Sequence, residues 1–486
     1  MLSILVCHSY YLRLDQKQVL RAKPYPPLAT LQVVAILRKA GHRVAFFDSM
    51  LADGIEDYDR LLEDGRPQLV LFYEDNFNFL SKMCLGAMRR AACDMIGAAR
   101  RVGCRVIAAG PDVTDAPAPY LKAGADFVLL GEGLSALLQV LPRLDSHPFA
   151  ATADLIQGVG SVASLNDGKV LNGAGSRALP LADGAGIAAW DLVDMDRYRA
   201  VWMKAHGYFS LNMAASRGCP FRCAWCAKPI WGNQYLQRSA ADVADEMAHL
   251  KRSFNPDHIW FADDIFGFRV DWVAEFAARV QSAAAKVPFT IQTRADLVSV
   301  RMAEALRDAG CREAWIGAES GSQRVLDAMN KGTTVAEILV ARERLKTAGI
   351  RVGFFIQLGY MDEELEDIFA TRALLDAARP DEIGVSVSYP LPGTRFYELV
   401  KAQLGGKTHW QESNDLDMMF QGTYTSDFYR TVRNLLHDQV SLQTNGAAPV
   451  DVEPGRARQI YEQRWQELLK HESQYRSSNG QTAAAG

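Results

Sequence analysis

The sequence lacks any apolar run of the roughly 18 residues that a membrane-spanning helix needs. It also lacks a basic block, because 53 basic and 57 acidic side chains leave a net charge of −4. We therefore expect no nucleic-acid partner. The first residues, MLSILVCHSYYLRLDQ, lack the basic start and the small-residue cleavage site of a signal peptide, and we interpret them as a buried strand. These absences predict a chain without a transmembrane segment.

Cysteine is sparse and mostly scattered, with eight residues in 486. A chain of this length with so few cysteines does not suggest a disulfide framework. The exception is the segment SRGCPFRCAWCAKP, in which Cys219, Cys223 and Cys226 have the spacing C-x-x-x-C-x-x-C. A closed zinc site needs four ligands, so zinc would require a distant fourth ligand such as His249 or His258. The other interpretation is an iron–sulfur cluster in which one iron has no protein ligand and can bind a small molecule.

Strand and helix patterns alternate through residues 1–148. The apolar runs LSILV, RVAFF, QLVLF, CRVIAA and DFVLL predict buried strands, and the segments between them have helical patterns that often end in glycine. Five such units predict an α/β domain with a flavodoxin-like, doubly wound parallel sheet. Such sheets bind ligands at the carboxyl ends of their strands, here in CHSYY, YEDNF, AGPD and GEG.

The rest of the chain divides into three predicted regions. Residues 149–205 are rich in small residues and are interpreted as a linker with a short hairpin at LNDGKVL. Residues 206–400 contain six larger strand–helix units, which predict a partial (β/α)6 TIM-like barrel. Residues 401–486 are predicted to form a small helical and aromatic region with a disordered tail. The cysteine segment follows the first barrel strand, where catalytic groups of such barrels lie.

The barrel region resembles the radical S-adenosylmethionine (SAM) family. The resemblance rests on C-x-x-x-C-x-aromatic-C, with Trp225 before the last cysteine, and on WIGAESGSQRVLDAMNKGTT. It implies a 4Fe-4S cluster on Cys219, Cys223 and Cys226, whose open iron binds SAM. It further implies reductive cleavage of SAM to a 5′-deoxyadenosyl radical, with an electron donor such as flavodoxin or ferredoxin.

The same resemblance suggests contacts with SAM at the ends of the barrel strands. Asp263 ends the second strand, Gln292 and Arg294 end the third, and Glu319 ends the fourth. Lys331 follows Glu319 by twelve residues and would contact the cofactor's carboxylate. Alternative interpretations are a helix cap for Asp263 and a solvated helix-end position for Lys331.

The amino-terminal domain resembles the cobalamin-binding domain of cobalamin-dependent radical SAM enzymes. The matching segments are YPPLATLQVVAILRKAGHRVAFFD and AAGPDVTDAPAPYLKAGADFVLLGEG. The resemblance implies that Gly110, Gly131 and Gly133 line a pocket for the nucleotide tail, since glycine permits close backbone approach. Asp112 and Glu132 are the candidate polar contacts with cobalamin.

One departure from cobalamin domains concerns the lower ligand of cobalt. Many such domains contain D-x-H-x-x-G, but His8 in VCHSYYLR lacks both the aspartate and the glycine of that motif. We therefore expect cobalt without a histidine ligand and His8 as a packed or solvated residue.

These resemblances predict a cytoplasmic methyltransferase that acts on an unactivated carbon of a small-molecule or lipid substrate, through the radical and methylcobalamin. A non-methylating enzyme of the same architecture, such as an oxidative cyclase or a ring-rearranging enzyme, is the alternative. A cobalamin- or redox-responsive binding protein is a third hypothesis. The sequence singles out no catalytic residue. Four carboxy-terminal aromatic residues are predicted either to cover the substrate or to pack in the core, namely Trp410, Phe420, Tyr424 and Tyr429.

Overall fold

The computed structural model describes residues 1–78, 86–172, 187–226, 230, 234–404, 416–444 and 454–477. Within these ranges the strands form a seven-stranded sheet, a six-stranded sheet and a two-stranded ribbon. Short 3-10 turns occur at Leu12–Leu14, Trp190–Leu192, Ala295–Leu297 and Lys401–Gln403. None of the described helices is both long enough and apolar enough to cross a bilayer.

The seven-stranded sheet belongs to the first half of the chain. Its first five strands are β1 (Ser3–Cys7), β2 (Arg43–Phe47), β3 (Leu69–Tyr73), β4 (Arg105–Ala109) and β5 (Phe127–Leu129). They pair in parallel in the order β2-β1-β3-β4-β5. Four of the five are almost wholly buried, as expected of strands covered by helices on both faces. The predicted flavodoxin-like α/β sheet is therefore confirmed.

Helices connect these strands and cover the sheet. They are α1 (Gln16–Arg21), α2 (Leu28–Lys39), α3 (Glu56–Gly65), α4 (Gly86–Arg101), α5 (Pro111–Asp115), α6 (Pro117–Ala123) and α7 (Leu134–Ser146). In α2 the fully buried residues recur at Leu28, Leu31, Val34 and Leu37, a helical spacing that places one face on the sheet. The prolines of α5 and α6 stand in the first turn of each helix, where a missing N–H costs no hydrogen bond.

Part of the segment predicted as a linker joins the first sheet. It contains α8 (Thr152–Ile156) and the antiparallel strands β6 (Val162–Asn166) and β7 (Lys169–Asn172). The predicted hairpin is present, and its two turn residues, Asp167 and Gly168, both have the positive φ of a tight hairpin turn. The difference from the prediction is that β6 also pairs antiparallel with β5. Residues 173–186 of the predicted linker lie outside the described residues.

Helix α9 (Met195–His206) leads from the first half into the second. Trp190, just before it, and Trp202 within it are both 1% exposed. The indole Nε1 of Trp202 donates to the Pro24 carbonyl oxygen at 2.7 Å, and that of Trp190 donates to Glu246 Oε1 at 3.2 Å. The connection between the halves is thus packed into a core that both halves share.

The second half contains the predicted six parallel strands. They are β8 (Ser210–Met213), β11 (His258–Phe261), β12 (Phe289–Thr293), β13 (Cys311–Glu319), β14 (Arg351–Leu358) and β15 (Glu382–Val387). The order β15-β14-β13-β12-β11-β8 follows the chain, so each strand lies beside the next, as in a barrel. No strand pair joins β8 to β15 among the described residues, so the barrel is partial, as predicted.

The barrel helices alternate with these strands. They are α10 (Ala240–Phe254), α11 (Val270–Ser282), α12 (Val300–Ala309), α13 (Gln323–Ala328), α14 (Val335–Thr347) and α15 (Leu365–Ala378). Side chains cap several of them: Ser239 accepts from the Asp242 N–H, and Ser299 from the Met302 N–H. The two-stranded ribbon, β9 (Ser216–Gly218) and β10 (Tyr235–Gln237), flanks the cysteine segment.

A segment of the first half, residues 23–27, packs against the edge strand β8. The Tyr25 hydroxyl lies 3.0 Å from Ser210 Oγ, and Asn212 Nδ2 donates to the Pro26 carbonyl oxygen at 3.0 Å. The amino-terminal half therefore contributes to the side wall of the barrel beside the edge strand β8.

The carboxy-terminal region is helical, as predicted. It comprises α16 (Arg395–Val400), α17 (Ser426–Thr444), α18 (Pro454–Lys470) and α19 (Glu472–Tyr475). Helix α18 is anchored by Trp465, which is fully buried. Phe420, Tyr424 and Tyr429 are buried, which favours core packing over contact with a substrate. Trp410 and the predicted disordered tail from residue 478 onward lie outside the described residues.

Candidate functional site

The three clustered cysteines lie beyond the carboxyl end of β8, inside the loop that the β9–β10 ribbon encloses. Cys219 is buried, Cys223 is half-buried and Cys226 is exposed. In the described part of the chain, no three ligand-type side chains stand close enough to hold a single metal ion. The ring nitrogens of His258 lie 2.9 Å from Ser210 Oγ and 2.9 Å from Thr290 Oγ1, so His258 is not available as the fourth ligand of a zinc site.

The backbone of the cysteine segment is docked on two later parts of the barrel. The Ala224 N–H donates to the Met329 carbonyl oxygen at 2.8 Å, and the Phe396 N–H donates to the Ala224 carbonyl oxygen at 2.9 Å. The side chain of Asn330 donates to the Arg222 carbonyl oxygen at 2.8 Å. These bonds fix the loop at the catalytic end of the barrel.

Asp263, which follows β11, supports the start of the same loop. It is 1% exposed, and its two carboxylate oxygens accept from the Ala215 N–H at 3.0 Å and the Ser216 hydroxyl at 2.5 Å. Burial raises the pKa of Asp263 to about 7, against the lowering effect of these hydrogen bonds. The structure thus places Asp263 beneath the loop, and its predicted contact with SAM stays a prediction.

Arg294, which follows β12, brings a positive charge to the cysteines. Its guanidinium lies 3.7 Å from Cys223 Sγ and 3.7 Å from the centre of the Phe221 ring. It also donates to the Lys331 carbonyl oxygen at 2.8 Å and to Asp296 at 2.9 Å. These contacts hold a buried cation next to the Cys223 thiol. Gln292, two residues earlier, is half-buried on β12.

Glu319 and Lys331 form a buried ion pair at the end of β13. Lys331 Nζ lies 2.7 Å from Glu319 Oε1, and the side chains are 6% and 10% exposed, respectively. Lys331 Nζ also lies 5.2 Å from the centre of the Trp225 ring in the cysteine segment. The alternative of a solvated lysine is therefore wrong. Glu319 has a φ of 61°, which is unusual for a residue with a side chain, and it lies at an irregularity in the pairing of β13 and β14.

The predicted residues of the first half lie together at the carboxyl ends of β4 and β5. Gly110 and Gly133 have positive φ, and a Cβ at either would approach Glu74 or Leu129 to within 2.6 Å. These glycines are thus required by close packing as well as by backbone shape. The predicted pocket-lining role of Gly110, Gly131 and Gly133 toward a ligand stays a prediction.

The two predicted polar contacts of the first half already have protein partners. Asp112 accepts hydrogen bonds from Arg89 and from the Tyr120 hydroxyl, the latter at 2.6 Å. Glu132 forms an ion pair with Arg217, which stands two residues before the first cysteine. The sequence analysis did not identify Arg217. The sequence feature that could have identified it is an arginine close to the end of a buried strand, because a buried charge needs a partner.

His8 is a packed residue, as its missing motif suggests. It is 1% exposed, its Nε2 lies 3.0 Å from Asp48 Oδ1, and its Nδ1 lies 3.2 Å from Ser49 Oγ. With both ring nitrogens engaged by the protein, His8 is not presented to a ligand. The expectation that cobalt has no histidine ligand stays a prediction.

Comparison with known proteins finds a family model and several relatives that match the barrel region. Residues 213–371 match the model of the radical SAM superfamily. An uncharacterised methyltransferase of Pyrococcus horikoshii is 26% identical over 317 residues, which cover 64% of this chain and 66% of the relative. The anaerobic magnesium-protoporphyrin IX monomethyl ester cyclase of Rubrivivax gelatinosus is 26% identical over 293 residues, or 60% of this chain and 50% of the relative. The chain thus spans between half and two thirds of these relatives.

The fold of the whole chain has a solved counterpart. The radical SAM methyltransferase TsrM of Kitasatospora setae, solved with cobalamin and a 4Fe-4S cluster, superposes with a TM-score of 0.66 at 17% identity, covering 83% of this chain and 78% of TsrM. This chain matches the radical SAM superfamily through residues 213–371, the part that contains the three cysteines, Glu319 and Lys331. Its two halves together have the fold of a cobalamin-dependent radical SAM enzyme.

Proposed function

We propose that this protein is a cobalamin-dependent radical SAM methyltransferase that acts on an unactivated carbon. The observation that carries the proposal is the location of the three clustered cysteines beside Arg294 and the Glu319–Lys331 pair, at the carboxyl end of the barrel strands. The nearby Glu132–Arg217 pair brings the loops of the first half to the same place.

The residues fit the cofactors that this function needs. Cys219, Cys223 and Cys226 would hold three irons of a 4Fe-4S cluster and leave the fourth for SAM. Asp263, Gln292, Arg294, Glu319 and Lys331 would surround SAM. When bound, the cluster and SAM supply a carbon-centred radical, and cobalamin supplies a transferable methyl group.

The chain's own residues hold and shield this chemistry. Arg294 offsets the negative charge of the thiolates, and its stacking on Phe221 fixes its position. Lys331 is oriented by Glu319 and by the face of Trp225, so its charge is positioned before a carboxylate arrives. Asp263 fixes the entry to the cysteine loop, so the three thiols are presented from a supported backbone.

In the first half, Gly110, Gly131 and Gly133 would allow cobalamin to approach the backbone, with Asp112 and Glu132 beside it. Both carboxylates belong to buried ion pairs. We therefore expect them to act mainly by holding the loops in shape. His8 is engaged by Asp48 and Ser49, so it would not be among the residues that hold cobalamin.

The test is product analysis with anaerobically reconstituted protein and SAM that carries a deuterated methyl group. Formation of both S-adenosylhomocysteine and 5′-deoxyadenosine, with transfer of the labelled methyl to a small molecule from a metabolite extract, supports the proposal. The control is the variant C219A/C223A/C226A, which cannot form the cluster and should yield no 5′-deoxyadenosine. Formation of 5′-deoxyadenosine alone by the wild-type protein would contradict methyl transfer.

The second candidate is an oxidative cyclase or another non-methylating enzyme of the same architecture. The observation that favours it is the similarity to the Rubrivivax cyclase over 60% of this chain. It predicts 5′-deoxyadenosine without S-adenosylhomocysteine and a product that has not gained a methylene unit. For either candidate we propose a low-potential flavodoxin or ferredoxin as the electron donor, to be tested by replacing a chemical reductant with the purified proteins.

A further inference from the structure

A buried ion pair joins the loop of the first sheet that follows β5 to the cysteine segment of the barrel. Glu132 and Arg217 are each 4% exposed, and their charged groups are in direct contact. Glu132 lies between Gly131 and Gly133, in the loop expected to approach cobalamin. Arg217 lies on β9, two residues before Cys219. One ion pair thus connects the two predicted cofactor loops.

Other contacts show that the two loops are packed together around this pair. The Glu132 carbonyl oxygen accepts a hydrogen bond from the Tyr73 hydroxyl at 2.7 Å, which fixes the backbone of the first loop. A Cβ at Gly131 would lie 3.4 Å from the carbonyl oxygen of Ile230, which follows Cys226 by four residues. The Gly131 N–H donates to Thr114 Oγ1 at 3.0 Å, so this loop is also tied to α5.

A pair in this environment is sensitive to displacement of either partner. Two charges withdrawn from water are favourable mainly while they remain in contact, and separating them loses that attraction without restoring their contact with water. If a ligand fixes one loop in the geometry that brings the charges together, it lowers the cost of fixing the other loop. This is the thermodynamic definition of coupling between sites, and such coupling is reciprocal.

We propose that the Glu132–Arg217 pair is a positioning device that couples the two cofactor sites, so that each cofactor binds more tightly when the other is present. The inference rests on the proposed function, because it assumes a cluster on the cysteines and cobalamin at the first sheet. Neither Glu132 nor Arg217 takes part in the reaction itself: each acts through the loop that carries it.

The experiment measures the dissociation constant of hydroxocobalamin by equilibrium dialysis, under anaerobic conditions, for cluster-free and cluster-loaded full-length protein. We expect cluster loading to tighten binding by roughly fivefold or more in the wild type. In E132Q, and in R217M, the two forms should bind with nearly equal affinity, because one partner of the pair has been removed. The D126N variant is the control, since Asp126 is a buried carboxylate whose ion pairs with Arg100 and Arg105 lie within the first half.

A double variant separates coupling from simple stability. E132Q/R217M removes both charges, so no unpaired charge stays buried and the unfolding midpoint should be closer to that of the wild type than either single variant's. The coupling ratio, which is the hydroxocobalamin dissociation constant of the cluster-free protein divided by that of the cluster-loaded protein, should nevertheless stay near one. A ratio that returns to the wild-type value together with stability would overturn the inference.

The remaining outcomes are also decisive. If the wild type binds cobalamin with the same affinity in both forms, or if E132Q keeps the wild-type ratio, the coupling is overturned while the proposed function stands. If the wild type does not bind hydroxocobalamin in either form, the proposed cofactor is wrong, and the inference fails with it. A D126N variant that loses the ratio as well would show that the effect is not specific to the pair, and would overturn the inference.

Discussion

Gly317 lies where any side chain would meet the ion pair of the candidate site. A Cβ there would stand 2.5 Å from Glu319 Oε1 and 2.6 Å from Lys331 Nζ. Both are ends of flexible side chains, so we expect G317A to fold and to displace the pair. We predict that SAM binds about tenfold more weakly to the variant, a loss of about 1.4 kcal/mol, as measured by equilibrium dialysis with reconstituted protein.

The control for this substitution is G65A, at the last residue of α3. A Cβ at Gly65 would meet nothing within 4 Å, and the residue is helical, so alanine should be neutral or slightly stabilising there. SAM affinity equal to that of the wild type in G317A would contradict the assignment of the Glu319–Lys331 pair to the SAM site.

His258 makes stability sensitive to acid. Burial lowers its pKa to about 4, and the charge of Lys23 contributes to the lowering. The unfolded chain has a histidine pKa near 6.5, so between these values the unfolded state binds a proton that the folded state refuses. Stability is therefore lost as pH falls from about 6.5 to 4, by about 1–3 kcal/mol in all.

We predict that H258Q loses this part of the acid sensitivity, as measured by urea unfolding of cluster-free protein at pH 7 and pH 5. H147Q, at an exposed histidine, is the control and should retain the wild-type dependence. If the wild type and H258Q lose equal stability between pH 7 and pH 5, His258 does not contribute to the acid sensitivity.

At the scale of residues, the sequence predicted which side chains lie at the site better than it predicted which residues they contact. Arg294, Glu319 and Lys331 were identified from the resemblance, and the structure brings them to the cysteine segment. The pairing of Glu132 with Arg217 was not predicted, because the two residues belong to different sheets and no local pattern relates them. The engagement of Asp263 with the loop backbone likewise depends on tertiary packing.

At the scale of elements, helix α14 begins with a capping box directly after the turn that carries Lys331. Thr334 Oγ1 accepts from the Glu337 N–H at 3.2 Å, and Glu337 Oε2 accepts from the Thr334 N–H at 2.7 Å. This reciprocal pair satisfies two N–H groups at the start of the helix. We predict that T334A lowers the free energy of unfolding by about 1 kcal/mol, as measured by urea unfolding.

T334S keeps the hydroxyl and is the matched control for T334A, with an expected loss of less than about 0.5 kcal/mol. Equal losses in the two variants would mean that the methyl group of the threonine matters and that the cap does not.

Elements were the most predictable level of this structure. The five apolar runs of the first half all form parallel strands, and the six strand–helix units predicted for residues 206–400 supply six more. Apolar runs are a reliable signal because a strand covered by helices on both faces has few exposed positions. The hairpin of β6 and β7 was predicted from its Asp-Gly turn, but its pairing with β5 was not. Turn chemistry is local, whereas the choice of a neighbouring strand depends on which sheet edge is open.

At the scale of the whole molecule, the two halves share one hydrophobic core, and the first half contributes to the side wall of the barrel. Core residues of both halves are in contact, and Tyr25 and Pro26 of the first half bond to Ser210 and Asn212 on β8. We predict that a fragment of residues 206–477 does not unfold cooperatively on heating, as measured by circular dichroism, because it lacks these partners.

The full-length protein is the control for the fragment and should show a cooperative transition. Addition of residues 1–205 as a separate chain should restore a transition to the fragment if the missing partners are the cause. A fragment that melts cooperatively by itself would show that the barrel is stable without the first half.

The hairpin of β6 and β7 has a consequence for how this protein behaves at high concentration. An uncovered outer edge of a sheet exposes free N–H and C=O groups that recruit strands from other molecules and lead to aggregation. Among the residues that the structure describes, β6 covers β5, and the border of the sheet is the four-residue strand β7, which carries an exposed Lys169. A short, charged border of this kind discourages intermolecular strand pairing, so this hairpin protects the sheet against self-association.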